Sequence, residues 1–567
     1  MRLDQFSVAI IASSYAVTPC CAARLGRHAA DAYAPQRATC PTSSIVRPAS
    51  SLATGESQYI AARKTIADAA LASWLKKVNE TFDTDTSRLP TLGLAGSGGG
   101  YRALLNEAGI LQAMDARDSN SSVNGLYQAF TYHAALSGGG WLATSLAAWD
   151  WPTISYLKKN VYEPNLEDGL LLPGGFYAPL AYAQILTDVA AKAAAGYPVT
   201  AGDIYGHLLG YNLFPGADGG VAFTMSGVTS SSNFTKHQVP YPIITSIGTN
   251  ASSSGNCSEP PDATQYEYTP HEFGSWDKGV NSFVQMAHLG SNISNGTAVH
   301  GKCTSGFDNL GFVTASTSNI FGFLCKTVSN STGAVAQLAD ALQTAILEVA
   351  GTTTSSLFNE IPNPFLAYSH ASAVSSAKLL TLGDGDLSMQ NDPVWPFLQP
   401  ERSVSVLIRK LAVVNHAPGQ TLMHAVADTC SENTTNSSCT GLSLHNTFLE
   451  AQSQSLTKMP TIPPTSTFVA LYLSSQARFF GCHQPDAITI VWLPLVSYSG
   501  TTASDISSVD VEVSEANTDS IIRNGNLIAT QNNDPQWPTC LACAISLKTA
   551  VSLPAGCGAC FARYCVT

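Results

Sequence analysis

Two short apolar runs break on glycines and resume with a helical period, and this paired change organises the first third of the chain. Leu92-Gly-Leu-Ala95 reads as a strand that runs into Gly96-Ser-Gly-Gly-Gly100. Apolar positions then recur at helical spacing from Tyr101 to about Met114. An aromatic and small-residue run, Leu126 to Leu136, reads as a buried strand that stops at Ser137. Three glycines follow, and Trp141 to Leu146 reads as the start of a helix. A third strand ends at Gly383-Asp384-Gly385-Asp386. Ile60, Ile66, Ala69, Leu71 and Leu75 predict a helix over 58–77. Pro173-Gly-Gly175 predicts a loop, and Leu180 to Ala195 an Ala-rich helix that could form part of a lid. Residues 213–262 are rich in Gly, Ser, Thr and Pro and read as surface insertions around short strands. Tyr33 to Pro41 reads as an extended, proline-marked lead-in, and neither a repeat nor a dividing linker is visible.

These breaks carry candidate chemistry. Strand, serine, glycines, helix is the order of a nucleophile elbow, in which a sharp turn exposes the hydroxyl above a helix N-terminus. The usual G-x-S-x-G is here Ala135-Leu-Ser137-Gly-Gly139, with alanine in the first glycine position. A plain loop or helix cap is the competing reading. Consecutive glycines at the upstream helix start present backbone N–H groups to an anion. An acyl-transfer enzyme needs such donors for its oxyanion, and Arg102 adds a fork suited to phosphate. Gly98-x-Gly100-x-x-Ala103 also fits a relaxed dinucleotide loop, but no apolar strand precedes Asp115 or Asp118 to complete it. The Gly-Lys-Ser/Thr ending of a phosphate loop is absent. A carboxylate at Asp384 could reach a serine on a neighbouring strand end. The alternatives there are an Asp-Gly turn and a calcium loop, whose pattern is not completed.

Composition narrows the class. Of 567 residues, 12% are charged and 45% hydrophobic, with a net charge of −12 and no Lys/Arg run. That argues against nucleic-acid binding and against electrostatic docking on anionic membranes. Residues 1–23 read as a signal peptide, with Arg2 before the apolar Phe6 to Val17 and small residues from Thr18 to Ala23. Its removal would take Cys20 and Cys21 and leave an even set from the 14 cysteines. Sequons stand at Asn79, Asn120, Asn233, Asn250, Asn256, Asn292, Asn295, Asn330, Asn433 and Asn436. Together these predict a secreted, N-glycosylated, disulfide-bonded protein. No further apolar run is long enough to span a bilayer, and no lipid-anchor tail follows Cys565-Val-Thr567. Cys540-Leu-Ala-Cys543 and Cys557-Gly-Ala-Cys560 could form a zinc ribbon, but paired disulfides suit an oxidising compartment better.

Taken together, these stretches resemble the fungal secreted lysophospholipases, the phospholipase B family. That family shares its catalytic module with group IV cytosolic phospholipases and, more distantly, patatins. Gly96-Ser-Gly-Gly-Gly-Tyr-Arg-Ala103 is similar to its glycine loop, and Leu136-Ser-Gly-Gly-Gly-Trp-Leu142 to its Leu-Ser-Gly-Gly-Ser-Trp-Leu elbow. Asp384-Gly-Asp resembles its Asp-Gly-Gly segment, and Gln390-Asn391 with Trp395-Pro-Phe-Leu398 its Gln-Asn pair and aromatic-proline stretch. Thr269 to Trp276, Gly306 to Phe312 and Cys560 to Cys565 resemble further segments. The resemblance implies an α/β fold: a central, mostly parallel or mixed sheet flanked by helices, with loop and lid insertions and a disulfide-rich C-terminal end. It implies one catalytic domain over 33–567, no cofactor and no metal. It makes Ser137 the nucleophile, Asp384 the base of a Ser/Asp dyad, Gly99 and Gly100 the oxyanion donors, and Arg102 the phosphate ligand. The implied substrate is a lysophospholipid, or a diacyl phospholipid, at a micelle or membrane surface. The chain departs from the family at Ala135, Gly140 and Asp386, the last placing a second carboxylate near the base. Two other readings stand beside it: a Ser-His-Asp esterase using His416, His424 or His445, and a secreted glycoprotein of this fold without activity.

Overall fold

The computed structural model describes residues 32–249, 259–319, 357–410, 440–498, 506 and 510–566. The N-terminal part holds β1 (Val46–Pro48), α1 (Thr54–Val78), β2 (Leu92–Gly96), α2 (Gly100–Met114), β3 (Phe130–Ala135) and α3 (Ser137–Ala148). Next come α4 (Ala178–Ala194), α5 (Ala201–Leu213), β4 (Tyr241–Gly248), β5 (Gln265–Tyr268), β6 (Glu272–Ser275) and β7 (Ser282–Gln285). Then follow α6 (Leu310–Thr317), β8 (Asn359–Pro362), β9 (Leu379–Gly383) and β10 (Val406–Lys410). The last part holds α7 (Leu442–Ser453), β11 (Arg478–Phe480), β12 (Thr489–Leu493), α8 (Glu515–Ala529), α9 (Trp537–Ser546) and α10 (Cys557–Tyr564).

The strands form one mixed sheet of twelve, in the order β11-β12-β10-β2-β3-β4-β5-β6-β7-β1, with β9 branching from β4 and carrying β8. Its centre is parallel: β12, β10, β2, β3 and β4 all run the same way. Parallel strands are covered on both faces, so their sequences stay apolar without alternation. Every residue of β2, β3 and β12 is accordingly buried. The strands expected at 92–96, within 126–136 and up to Gly383 are all present, as are the helices expected near 58–77, 101–114 and 180–195. The α/β fold with a mixed, helix-flanked sheet is as expected.

Contrary to expectation, residues 213–262 are not only surface insertions. Tyr241–Gly248 is β4, beside the elbow strand at the centre of the sheet, and its first seven residues are buried. The glycine- and serine-rich flanks diluted a strand, Tyr-Pro-Ile-Ile-Thr-Ser-Ile-Gly, in which Tyr241, Ile243, Ile244, Thr245 and Ile247 are strongly β-forming.

Two helix pairs pack closely. Helix α8 lies against α2 at glycines, since a Cβ at Gly109 would stand 1.9 Å from the Ile522 carbonyl oxygen and one at Gly525 2.0 Å from that of Asn106. Helix α4 packs along α5, with Lys192 Nζ 2.5 Å from Asp203 Oδ1. Cysteines pair as Cys40–Cys303, Cys482–Cys565, Cys540–Cys560 and Cys543–Cys557. The cysteines at 540, 543, 557 and 560 are thus disulfides, not a zinc ribbon. Closing a loop of ~15 residues stabilises by roughly 3 kcal/mol; the inner pair adds less, being nested in the outer. Cys20, Cys21, Cys257, Cys325, Cys430 and Cys439 lie outside the described residues. Among the described residues no helix is long and apolar enough to cross a membrane.

Candidate active site

Strands β2 and β3 end side by side, with Gly96 opposite Ala135, and each turns directly into a helix. The N-termini of α2 and α3 therefore open at the same edge, and their unbonded N–H groups add up to a site for negative charge. The approach is close. A Cβ at Gly138 would lie 2.2 Å from the Gly100 oxygen and 2.8 Å from its nitrogen, and one at Gly139 2.6 Å from the Gly96 oxygen. Gly139 N–H donates to the Ser97 carbonyl at 3.1 Å and Leu136 N–H to that of Gly96 at 3.2 Å. Glycine runs are needed here because two backbones touch.

Ser137 has φ +49°, a left-handed conformation uncommon for a residue with a side chain. A strained serine between a strand and a helix head is the geometry that a nucleophile elbow requires. Its N–H donates to Thr317 Oγ1 at 3.1 Å. Ala135, by contrast, is extended β-strand and fully buried. The position does not call for positive φ, so alanine in place of glycine there is no obstacle.

Asp384 follows β9 and caps the short helical turn 385–388. Its N–H donates to the Asn319 carbonyl at 3.2 Å, and its Oδ1 accepts the Asp386 N–H at 2.9 Å. Oδ2 makes no hydrogen bond of regular geometry, although the Ser137 hydroxyl is close enough to favour the ionised form. Burial is the larger effect and pushes the carboxyl up to about 7, opposed by the Asp386 N–H and Ser137. A carboxylate near neutrality against a serine hydroxyl is suited to proton transfer.

The loop donors are sorted by Asn391. Its Oδ1 and its carbonyl oxygen both accept the Gly98 N–H, at 3.0 and 3.2 Å. That leaves Gly99 and Gly100 at the open head of α2; Gly99, at φ +127°, takes a conformation that suits glycine. Arg102, in the first turn of α2, is wholly below the surface. The structure thus brings Ser137, Asp384 and the glycine loop together, with Arg102 two residues past the loop. Of the candidate histidines, His445 Nδ1 engages the Ile462 carbonyl at 3.0 Å, while His416 and His424 lie outside the described residues. His133, in the elbow strand, is occupied by Glu107 at 2.9 Å. No group of three or more His, Cys, Asp or Glu placed to hold a metal occurs among the described residues. Of the sequons, Asn120, Asn292 and Asn295 are exposed and Asn79 half-buried. The Asn233 amide nitrogen, where a glycan would attach, donates instead to the Asp150 carbonyl at 2.6 Å. Asn250, Asn256, Asn330, Asn433 and Asn436 lie outside the described residues. Thr317 and Asn319 escape sequence reasoning, since nothing local marks a threonine or a carbonyl as a partner of residues 65 or more positions away.

Comparison with known proteins bears on the same residues. A family model described as the lysophospholipase catalytic domain matches residues 92–567. The chain belongs to that family. It is 34% identical to lysophospholipase 2 of Aspergillus fumigatus, over 95% of this chain and 93% of the relative. It is 32% identical to the probable lysophospholipase 5 of Schizosaccharomyces pombe, over 95% and 88%. Among solved structures, human GIVD cytosolic phospholipase A2 shares the fold with a TM-score of 0.65 at 17% identity, covering 90% of this chain and 69% of that one. The glycine loop, the elbow and the Asp384 turn of this lysophospholipase-family chain all fall within the matched span.

Proposed function

We propose that this protein is a secreted lysophospholipase that releases fatty acids through a Ser137/Asp384 dyad and an acyl-enzyme. The observation that carries the reading is a left-handed serine at a helix head beside a buried carboxyl held near neutrality. Ser137 Oγ attacks the ester carbonyl carbon as its proton passes to Asp384. The Gly99 and Gly100 N–H groups take the oxyanion. Collapse expels the glycerol oxygen, which receives the proton from Asp384 and leaves an acyl-serine. Water then gives a proton to Asp384, attacks the acyl carbon and frees the fatty acid, and the serine regains its hydrogen. The test is fatty-acid release from a lysophospholipid panel by wild type and Ser137→Ala. Wild type should release acid from lysophospholipids and the variant should not; release by the variant would overturn the assignment.

Arg102 is proposed to hold the substrate phosphate. A charge-assisted hydrogen bond contributes about 1.5–3 kcal/mol, so Arg102→Ala should slow phospholipid hydrolysis roughly ten- to a hundredfold and spare a neutral ester. Because the side chain is fully buried, equal losses on both substrates would mark it as structural instead. Secretion is supported by the leader-like N-terminus, the disulfides and the exposed Asn120, Asn292 and Asn295. Protein collected from the medium should lose mass on enzymatic deglycosylation, and an unchanged mass would refute N-glycosylation.

A further inference from the structure

We infer that Thr317 is the positioning residue of the nucleophile, and that its γ-methyl is the reason position 140 is glycine in this chain. The inference rests on the reading of Ser137 as nucleophile. Thr317 is the last residue of α6 and fully buried. Its Oγ1 accepts the Ser137 N–H at 3.1 Å and donates to the Thr245 carbonyl oxygen. Thr245 belongs to β4, the strand beside the elbow strand. One hydroxyl thus ties the backbone of the strained serine to the neighbouring strand. The Ser137 N–H has left the strand ladder at the turn, and a buried N–H without an acceptor costs free energy. Thr317 supplies that acceptor from a distant part of the chain. It also occupies the Ser137 N–H, so the oxyanion falls to other donors, which agrees with the glycine loop in that role.

The other branch of Thr317 faces the elbow helix. A Cβ at Gly140 would lie 2.7 Å from Thr317 Cγ2 and 3.4 Å from Oγ1. Threonine has few χ1 states to choose from, and here both bonds of Oγ1 select one. Rotating Cγ2 away would release the Ser137 N–H. Nor can α3 retreat easily, because Thr144 Oγ1 lies 3.0 Å from Thr314 Oγ1 of α6 and Gly139 N–H donates to the Ser97 carbonyl of the glycine loop at 3.1 Å. The resembling elbow carries serine at this position. The geometry says that such a serine is compatible with the hydroxyl of residue 317 but not with its methyl. Serine at 317 would keep the bridge and open the space.

The test compares T317V, T317S, G140S and the G140S/T317S double variant. Two rates are read: modification of Ser137 by a long-chain alkyl fluorophosphonate, and kcat and KM on lysophosphatidylcholine. Thr317→Val keeps shape and removes the acceptor, so both labelling and kcat should fall roughly ten- to a hundredfold with little change in KM. Thr317→Ser should stay close to wild type. Gly140→Ser should lose at least tenfold, and the double variant should recover most of that loss. Labelling of Thr317→Val at the wild-type rate would overturn the positioning role. An unimpaired Gly140→Ser, or a double variant no better than Gly140→Ser, would overturn the steric pairing. If Thr317→Val does not fold, as read by circular dichroism, the rescue comparison decides alone. Ser137→Ala is the blank: labelling that persists there would refute the nucleophile, separately from Thr317.

Discussion

Asp384→Asn is expected to abolish fatty-acid release and, at neutral pH, to leave a fold more stable than wild type. The amide is isosteric and can still accept the Asp386 N–H at the cap, but it cannot take the serine proton. The stability gain follows from the sign of the shift. Burial raises this carboxyl from 3.8 to about 7, so the fold favours the protonated acid. Above about pH 7 the native carboxylate is ionised in a site that disfavours charge, and this weighs against the fold. As pH falls through about 7 toward 3.8 the burden is relieved. The variant should therefore melt higher than wild type at pH 8, with the gap closing toward pH 4. Wild-type kcat/KM should fall on the acid side with a midpoint near pH 7, because the base must be ionised to act. Asp386→Gly keeps the N–H that caps Asp384 and should keep turnover. An active Asp384→Asn enzyme beside a dead Asp386→Gly enzyme would exchange the roles of the two carboxylates. A Tm difference that does not vary with pH would refute the buried-charge account.

Gly138→Ala should cost at least a hundredfold in kcat, the scale of losing one oxyanion donor. The added methyl would stand 2.2 Å from the Gly100 oxygen and 2.8 Å from its nitrogen. Both atoms are backbone, so relief requires moving the glycine loop away from the serine. Overpacking of this kind also costs about 1–3 kcal/mol of stability, which thermal melts should register. Gly558→Ala is the control. That glycine lies in helix α10 with nothing within 4 Å of its added carbon, so activity should not change. A Gly138→Ala enzyme with wild-type kcat would mean that the two helix heads do not form the oxyanion site.

The chain announces its chemistry locally. A strand, a serine and a glycine run are contiguous, and so are the upstream strand, the glycine loop and Arg102; each turn is specified by the residues that make it. Asp384 could be found because it too ends a strand on glycines. The central parallel strands are covered on both faces, so their buried runs need not alternate, and that pattern is visible in the sequence for β2 and β3. Tertiary structure decided what depends on distance. β4 was hidden by its polar flanks, and its burial is set by the helices α1, α3 and α6 that pack against it. The near-neutral pKa of Asp384 exists only after the sheet and α6 close over it, since an Asp-Gly turn in water would titrate normally. Arg402, fully buried between Glu56 and Glu267, 346 and 135 residues away, has no local sign at all. The same holds for Thr317, whose hydroxyl meets Ser137 across 180 residues. Period and turn chemistry act between near neighbours and can be read along the chain, whereas desolvation and hydrogen bonding across the core exist only once the fold has brought the partners together.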